Sequence, residues 1–173
     1  TFPKYKTEEI TITFFGVFYV AVTLSYLFLV RRAADGVYLV WLVFLSSWGC
    51  DTCAYCAGML FGRHKLAPVL SPKKSIEGAI GGMVGAAFLG ALYGAVFGTH
   101  MEEVGNPVIA CCAACAIAAV ISQIGYLAAS AIKRNHQVKD YGTLIPGHGG
   151  ILDRFDSMMF TAPAIYFVIL FLR

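Results

Sequence analysis

The feature that most limits this chain is a series of long blocks without charge. Residues 10–30 contain no Asp, Glu, Lys or Arg, and at about 1.5 Å per residue such a block covers the roughly 30 Å hydrocarbon core of a bilayer. Residues 37–60 repeat the pattern with Asp51 as the single charge, and residues 79–99, 107–132 and 158–172 are again uncharged. The last block is short, which places the start of its helix a few residues earlier, inside the polar run before it. Of 173 residues, 58% are hydrophobic and 13% charged, against roughly 25% charged in an ordinary soluble domain. A soluble globular domain and a disordered chain are both excluded. The expectation is an all-α polytopic membrane protein: one domain over residues 1–173, with a bundle of about five transmembrane helices and two polar cytoplasmic loops.

Five crossings sort the connecting segments onto two sides, and the Lys/Arg balance decides which is cytoplasmic. One side collects Lys4, Lys6, Arg63, Lys65, Lys73, Lys74, Lys133, Arg134, Lys139 and Arg154; the other has Arg31, Arg32 and Arg173. The two long polar loops, 61–78 and 133–157, are therefore read as cytoplasmic, facing inward from the cell membrane. The net charge of +3 is too small to point to nucleic acid. The chain begins at Thr1, shows no signal peptide or internal repeat, and reads as a fragment with upstream helices missing.

Within the third block, Gly78, Gly82, Gly90, Gly94 and Gly98 fall on a four-residue spacing, with Gly81 and Gly85 in parallel. Small residues so spaced let helix backbones approach closely, either inside the bundle or at a homodimer face. Cys50, Cys53 and Cys56, like Cys112 and Cys115, recur every third residue. Structural zinc sites need four ligands in a water-accessible place, so cysteines inside apolar helices read as small packing residues.

Asp51 is the chemical outlier, because an aspartate at a helix centre costs about 2.5–3.5 kcal/mol on insertion scales. It reads as a ligand for a cation or substrate, the alternative being a buried structural carboxylate. In the loop after it, Ser71-Pro72-Lys73-Lys74 precedes the third helix, for which Ser75 is a candidate cap. Ammonium groups beside a helix N-terminus suit a phosphate. The second loop is more specific. Pro146, Gly147, Gly149 and Gly150 impose a tight turn around His148. Asp153 and Asp156, three apart, share a helix face with Arg154 turned away. Two carboxylates converging at a polar helix end suit Mg²⁺, which takes a few protein oxygens and keeps sites for water and phosphate. Lys133, Arg134 and Lys139 supply charge for a polyphosphate.

These residues resemble the phosphatidate cytidylyltransferase family, also called CDP-diacylglycerol synthases. Its signature is similar to Ser130, Ile132-Lys133-Arg134, Lys139-Asp140, Gly142, Ile145-Pro146, His148-Gly149-Gly150-Ile151 and Asp153-Arg154-Phe155-Asp156, which fit without a gap. Asp51-Thr52, Ala54-Tyr55, Gly58, Phe61-Gly62, Ser71-Pro72, Lys73-Lys74 and Glu77-Gly78 resemble a second block in the right order. Members usually carry additional helices before this region. One departure stands out: where the family reads Gly-Asp, two residues, Glu-Ser, this chain has Gly125-Tyr126-Leu127-Ala128-Ala129-Ser130. The resemblance implies that the aspartate belongs to the acidic groups around the metal, and Tyr126 and Ala129 supply no carboxylate there.

The resemblance implies transfer of CMP from CTP to phosphatidic acid, giving CDP-diacylglycerol and pyrophosphate, with Mg²⁺ and a possible second cation. In that reading Asp153, Asp156 and Asp51 hold metal, and Lys133, Arg154 and His148 join Asp153 and Asp156 in catalysis. Ser71, Lys73, Lys74, Arg134, Lys139, Asp140, Gly149 and Gly150 bind CTP and phosphatidic acid among the membrane lipids. The rival readings are a CTP-dependent polyprenol or phytol kinase and an ion or phosphate transporter.

Overall fold

The computed structural model describes residues 6–138, 140–142, 144 and 149–172. It contains five helices long and apolar enough to cross a membrane: α1 Thr7–Arg32, α2 Gly36–Phe61, α3 Ile76–His100, α4 Pro107–Asn135 and α5 Leu152–Leu172. All five apolar blocks are helical, and the protein is an all-α polytopic membrane protein. As expected, the last helix begins inside the polar run, at Leu152.

Helix α3 packs most extensively against α4 and α2, while α5 packs against α4 and α1. The glycine rows explain the first two contacts. A Cβ on Gly82 would lie 2.8 Å from the Cys50 carbonyl oxygen, and one on Gly90 would lie 2.5 Å from that of Cys111. Only glycine permits such backbone approach. The rows face α2 and α4 of the same chain, so close packing inside the bundle accounts for them. Cys50, Cys53 and Cys115 fill spaces opposite these glycines; Cys50, Cys111 and Cys115 are buried, and all six are free thiols. Farther along, Val30, Leu39, Leu42, Cys115, Met158 and Ile165 belong to one buried cluster joining α1, α2, α4 and α5. Outward-facing Phe14, Phe15, Phe18, Trp41 and Phe88 are exposed, as expected of side chains that meet lipid.

The first polar loop departs from the all-helical expectation. Lys65–Ala67 (β1) and Ser71–Ser75 (β2) pair antiparallel, with Lys65 opposite Ser75 and Ala67 opposite Ser71. Pairing satisfies backbone groups in a segment whose Pro68 and Pro72 disfavour helix. The hairpin is tied to α3 at its base. Ser75 Oγ accepts from the Gly78 N–H at 3.1 Å, the expected cap. The Glu77 carboxylate accepts from the Arg63 N–H at 3.1 Å and the His64 N–H at 3.2 Å. This double anchor fixes where Ser71, Lys73 and Lys74 stand over the bundle.

Candidate active site

Two of the helices carry wider π turns, Phe18–Val22 in α1 and Leu45–Gly49 in α2. The second presents Ser47 to α5, where its Oγ lies 2.6 Å from Ser157 Oγ. Trp48 Nε1 donates to the Arg154 carbonyl at 3.2 Å. Both contacts pin the polar start of α5 against α2. The first turn of α5 then places Asp153 and Asp156 on one face, while the Arg154 side chain is exposed, as the three-residue spacing requires.

The two carboxylates converge on Lys133 from α4. Its ammonium donates to Asp153 Oδ1 at 3.0 Å and lies 3.5 Å from Asp156 Oδ2. Side-chain exposures of 10%, 6% and 7% make this a buried cluster. Asp153 Oδ2 also accepts the Tyr141 N–H at 2.8 Å and the Gly150 N–H at 2.9 Å, and Asp156 Oδ1 accepts the Ser157 N–H at 2.7 Å. Gly149 has φ +82°, and a Cβ there would stand 3.0 Å from Asp153 Oδ2. Glycine at this point is therefore what lets the turn wrap the carboxylate. Lys133, expected to supply charge for a polyphosphate and to take part in catalysis, shares its charge with the two aspartates.

Tyr141 was not singled out by sequence reasoning, although it directly follows Lys139-Asp140. Its ring faces the Lys133 ammonium at 5.1 Å, and its hydroxyl donates to the Ala129 carbonyl at 3.2 Å. Burial pushes the phenol above its ordinary pKa, with Lys133 pulling the other way, so it remains a donor at neutral pH.

Asp51 makes its ion pair with a different lysine. It pairs with Lys74, whose Nζ donates to Oδ1 at 3.2 Å. The same ammonium lies 3.5 Å from the centre of the Tyr126 ring, and Tyr126 Oη is 3.4 Å from Ser71 Oγ. A tyrosine where the family pattern has an aspartate thus still engages a cation, through its π face. Among the described residues no group of three or more His, Cys, Asp or Glu gathers around a common point, so Asp51 does not close a three-carboxylate set.

Two cavities meet at Ser71, Lys73 and Tyr126. One, of about 300 Å³, runs between α2, α3 and α4 and takes in Asp51, Lys74 and Gln123. The other, of about 240 Å³, is lined also by Ser130, Lys133, Arg134 and Asp140. Ser71, Lys73, Lys74, Lys133, Arg134 and Asp140 are therefore brought together, with Gly149 and Gly150 joined to the second group through Asp153, whereas the exposed Arg154 side chain, expected in catalysis, lines neither cavity. His148 and Lys139 lie outside the described residues. Tyr126, marked in the sequence as standing where the family pattern has an aspartate, lines both cavities, and Gln123 lines the first.

Residues 2–172 match the model of the cytidylyltransferase family. The chain is 36% identical over 150 residues to a phosphatidate cytidylyltransferase of Staphylococcus haemolyticus (strain JCSC1435), covering 87% of this chain and 55% of that protein. To the phosphatidate cytidylyltransferase of Staphylococcus aureus (strain COL) it is 35% identical over 144 residues, 83% of this chain and 54% of the relative. It spans about half the length of these curated relatives. With its motifs in order and the family match running almost end to end, the chain belongs to the cytidylyltransferase family.

Proposed function

We propose that this chain carries the cytidylyl-transfer site of a phosphatidate cytidylyltransferase, converting CTP and phosphatidic acid to CDP-diacylglycerol and pyrophosphate. The observation that carries the proposal is the meeting of two cavities at Ser71, Lys73 and Tyr126, one edged by Lys133 and Arg134 and the other by Lys74. Two anionic reactants need adjoining cationic pockets and a fixed mutual orientation. The excess of basic residues in the loops around the site supports a cell-membrane protein with the site facing the cytoplasm.

In the reaction, a phosphate oxygen of the lipid forms a bond to the α-phosphorus of CTP. The bridging bond between the α- and β-phosphates breaks, and pyrophosphate leaves with the electron pair. Arg134 and Lys73 bind the triphosphate and offset the charge on the leaving group. Lys74, held by Asp51 and Tyr126, faces the lipid phosphate. Lys133 holds Asp153 and Asp156 in one geometry, and the acyl chains remain in the bilayer.

The family implies Mg²⁺, and the buried cluster fits it. Two carboxylates and one ammonium leave a formal charge of −1, which would attract a hard dication, the remaining positive charge being offset by substrate phosphate. Asp153 and Asp156 would hold the ion, with water and phosphate completing its shell. When bound it would withdraw charge from phosphate oxygens.

The test is label transfer from α-labelled CTP in mixed micelles of detergent and phosphatidate. Labelled CDP-diacylglycerol is expected, and Asp153→Asn should lower turnover by about 10²-fold or more, because the Lys133–Asp156 geometry depends on it. Labelled CDP in the aqueous phase would mark a lipid kinase and overturn the proposal. So would lipid-dependent transfer undiminished in Asp153→Asn.

A further inference from the structure

Helix α1 is almost entirely exposed outward, with Ile10, Phe14, Phe15, Val17 and Phe18 all facing away from the bundle. Tyr19 is the exception in kind. Among the described residues its hydroxyl is the buried side-chain oxygen without a hydrogen-bond partner. The ring is held in place: it stacks on Phe15 at 5.4 Å and meets the edge of Phe160 at 5.8 Å. Phe160 in turn is pressed against α4 at Gly125, where a Cβ would lie 2.5 Å from its ring. The backbone is also specialised. Tyr19 belongs to the π turn Phe18–Val22, and its carbonyl accepts from Thr23 Oγ1. Single π turns recur at functional sites. Phe160 follows Asp156 by four residues on α5, so the Tyr19 ring packs about one helical turn from the buried carboxylate cluster.

An orphaned buried hydroxyl carries an uncompensated desolvation cost, which the large majority of buried side-chain polar groups avoid. A phenylalanine would fill the same space without it. A rigidly held donor beside a phosphate-handling cluster is the arrangement expected of a group whose acceptor arrives with the ligand.

We propose that Tyr19 is a substrate-binding residue whose hydroxyl donates a hydrogen bond to a phosphoryl oxygen of the bound substrate. This rests on the transferase reading for the identity of the ligand. That oxygen comes either from the phospholipid headgroup, approaching sideways past α1, or from the nucleotide.

The decisive variant is Tyr19→Phe, which removes one oxygen and no packing. Its thermal midpoint without ligand should equal or exceed that of the parent, since an unsatisfied group is lost. Its kcat/KM should fall by about tenfold, the equivalent of one hydrogen bond to a charged acceptor. A rise in KM for phosphatidate assigns the lipid phosphate; a rise for CTP assigns the nucleotide. Tyr26→Phe is the control on the same helix, its ring packed on Tyr166, and should change neither. Thermal-shift titrations with short-chain phosphatidate and with CTP, each alone, read binding without turnover. If the parent transfers no label, the transferase reading falls while these titrations still decide on Tyr19. Equal binding by parent and variant, or no binding of either ligand by the parent, overturns the inference. A Tyr19→Phe midpoint several degrees below the parent also overturns it, because the hydroxyl would then have a partner within the protein.

Discussion

Replacing Lys133 with methionine removes one charge from a buried set of three and leaves two carboxylates facing each other. The distances, 3.0 Å to Asp153 and 3.5 Å to Asp156, give gross attractions of about 5.5 and 4.7 kcal/mol at an effective dielectric of about 20. Much of this offsets desolvation of the three groups, so the net cost of deleting the shared partner is about 3–5 kcal/mol. At roughly 2–4 °C per kcal/mol for a chain of this size, the melting temperature should fall by about 6–20 °C. Asp156→Asn should cost far less, about 1–2 kcal/mol, because the 3.0 Å pair between Lys133 and Asp153 survives. The double variant Lys133→Met/Asp156→Asn should recover part of the loss, since one of the two like charges is gone. Trp48 provides the assay: its indole donates to the Arg154 carbonyl within the same turn of α5, so its fluorescence during a thermal melt in micelles reports on the cluster. A Lys133→Met melt within about 2 °C of the parent, or a double variant no more stable than the single, would refute the shared-ammonium account.

Two further outcomes follow from particular contacts. With Lys74 3.5 Å from the Tyr126 ring centre, Tyr126→Phe should keep most activity while Tyr126→Leu loses roughly 3- to 30-fold in kcat/KM for phosphatidate, matching a cation–π contribution of about 0.5–2 kcal/mol; comparable losses in both variants would point to the hydroxyl instead. Gly149→Ala forces a side chain into φ +82° and to 3.0 Å from Asp153 Oδ2, so it should cost about 1–3 kcal/mol of stability and lower kcat more than KM. A fully active Gly149→Ala protein would show that the turn does not position Asp153.

Much of the fold was legible because membranes simplify the code. Each uncharged block became a helix, since backbone groups in lipid have no partner except one another. The Asp153–Asp156 spacing, the Ser75 cap and the glycine rows are likewise local patterns that helix geometry turns directly into contacts. Pairings across long stretches of chain were not legible. Asp51 met Lys74 and not the other carboxylates, a choice made by the hairpin that swings residues 71–75 over α2. That hairpin carries no alternating apolar pattern, only a polar loop whose backbone needed partners.

Tyr19 shows a deeper limit, and Tyr126 is marked only by the acid it replaces. In an apolar helix a tyrosine is indistinguishable from packing until its hydroxyl or ring face can be seen against its neighbours. Asp51 declares itself because a charge in a membrane costs several kcal/mol unless compensated, so mere presence is informative. A phenol costs far less, and only its unmet hydrogen bond, or a lysine laid on its face, shows that it has work beyond filling space. In the proposed reading the charges mark the site, while two aromatic residues, Tyr126 lining both cavities and Tyr19 with its unmet buried hydroxyl, would help hold the phosphate groups.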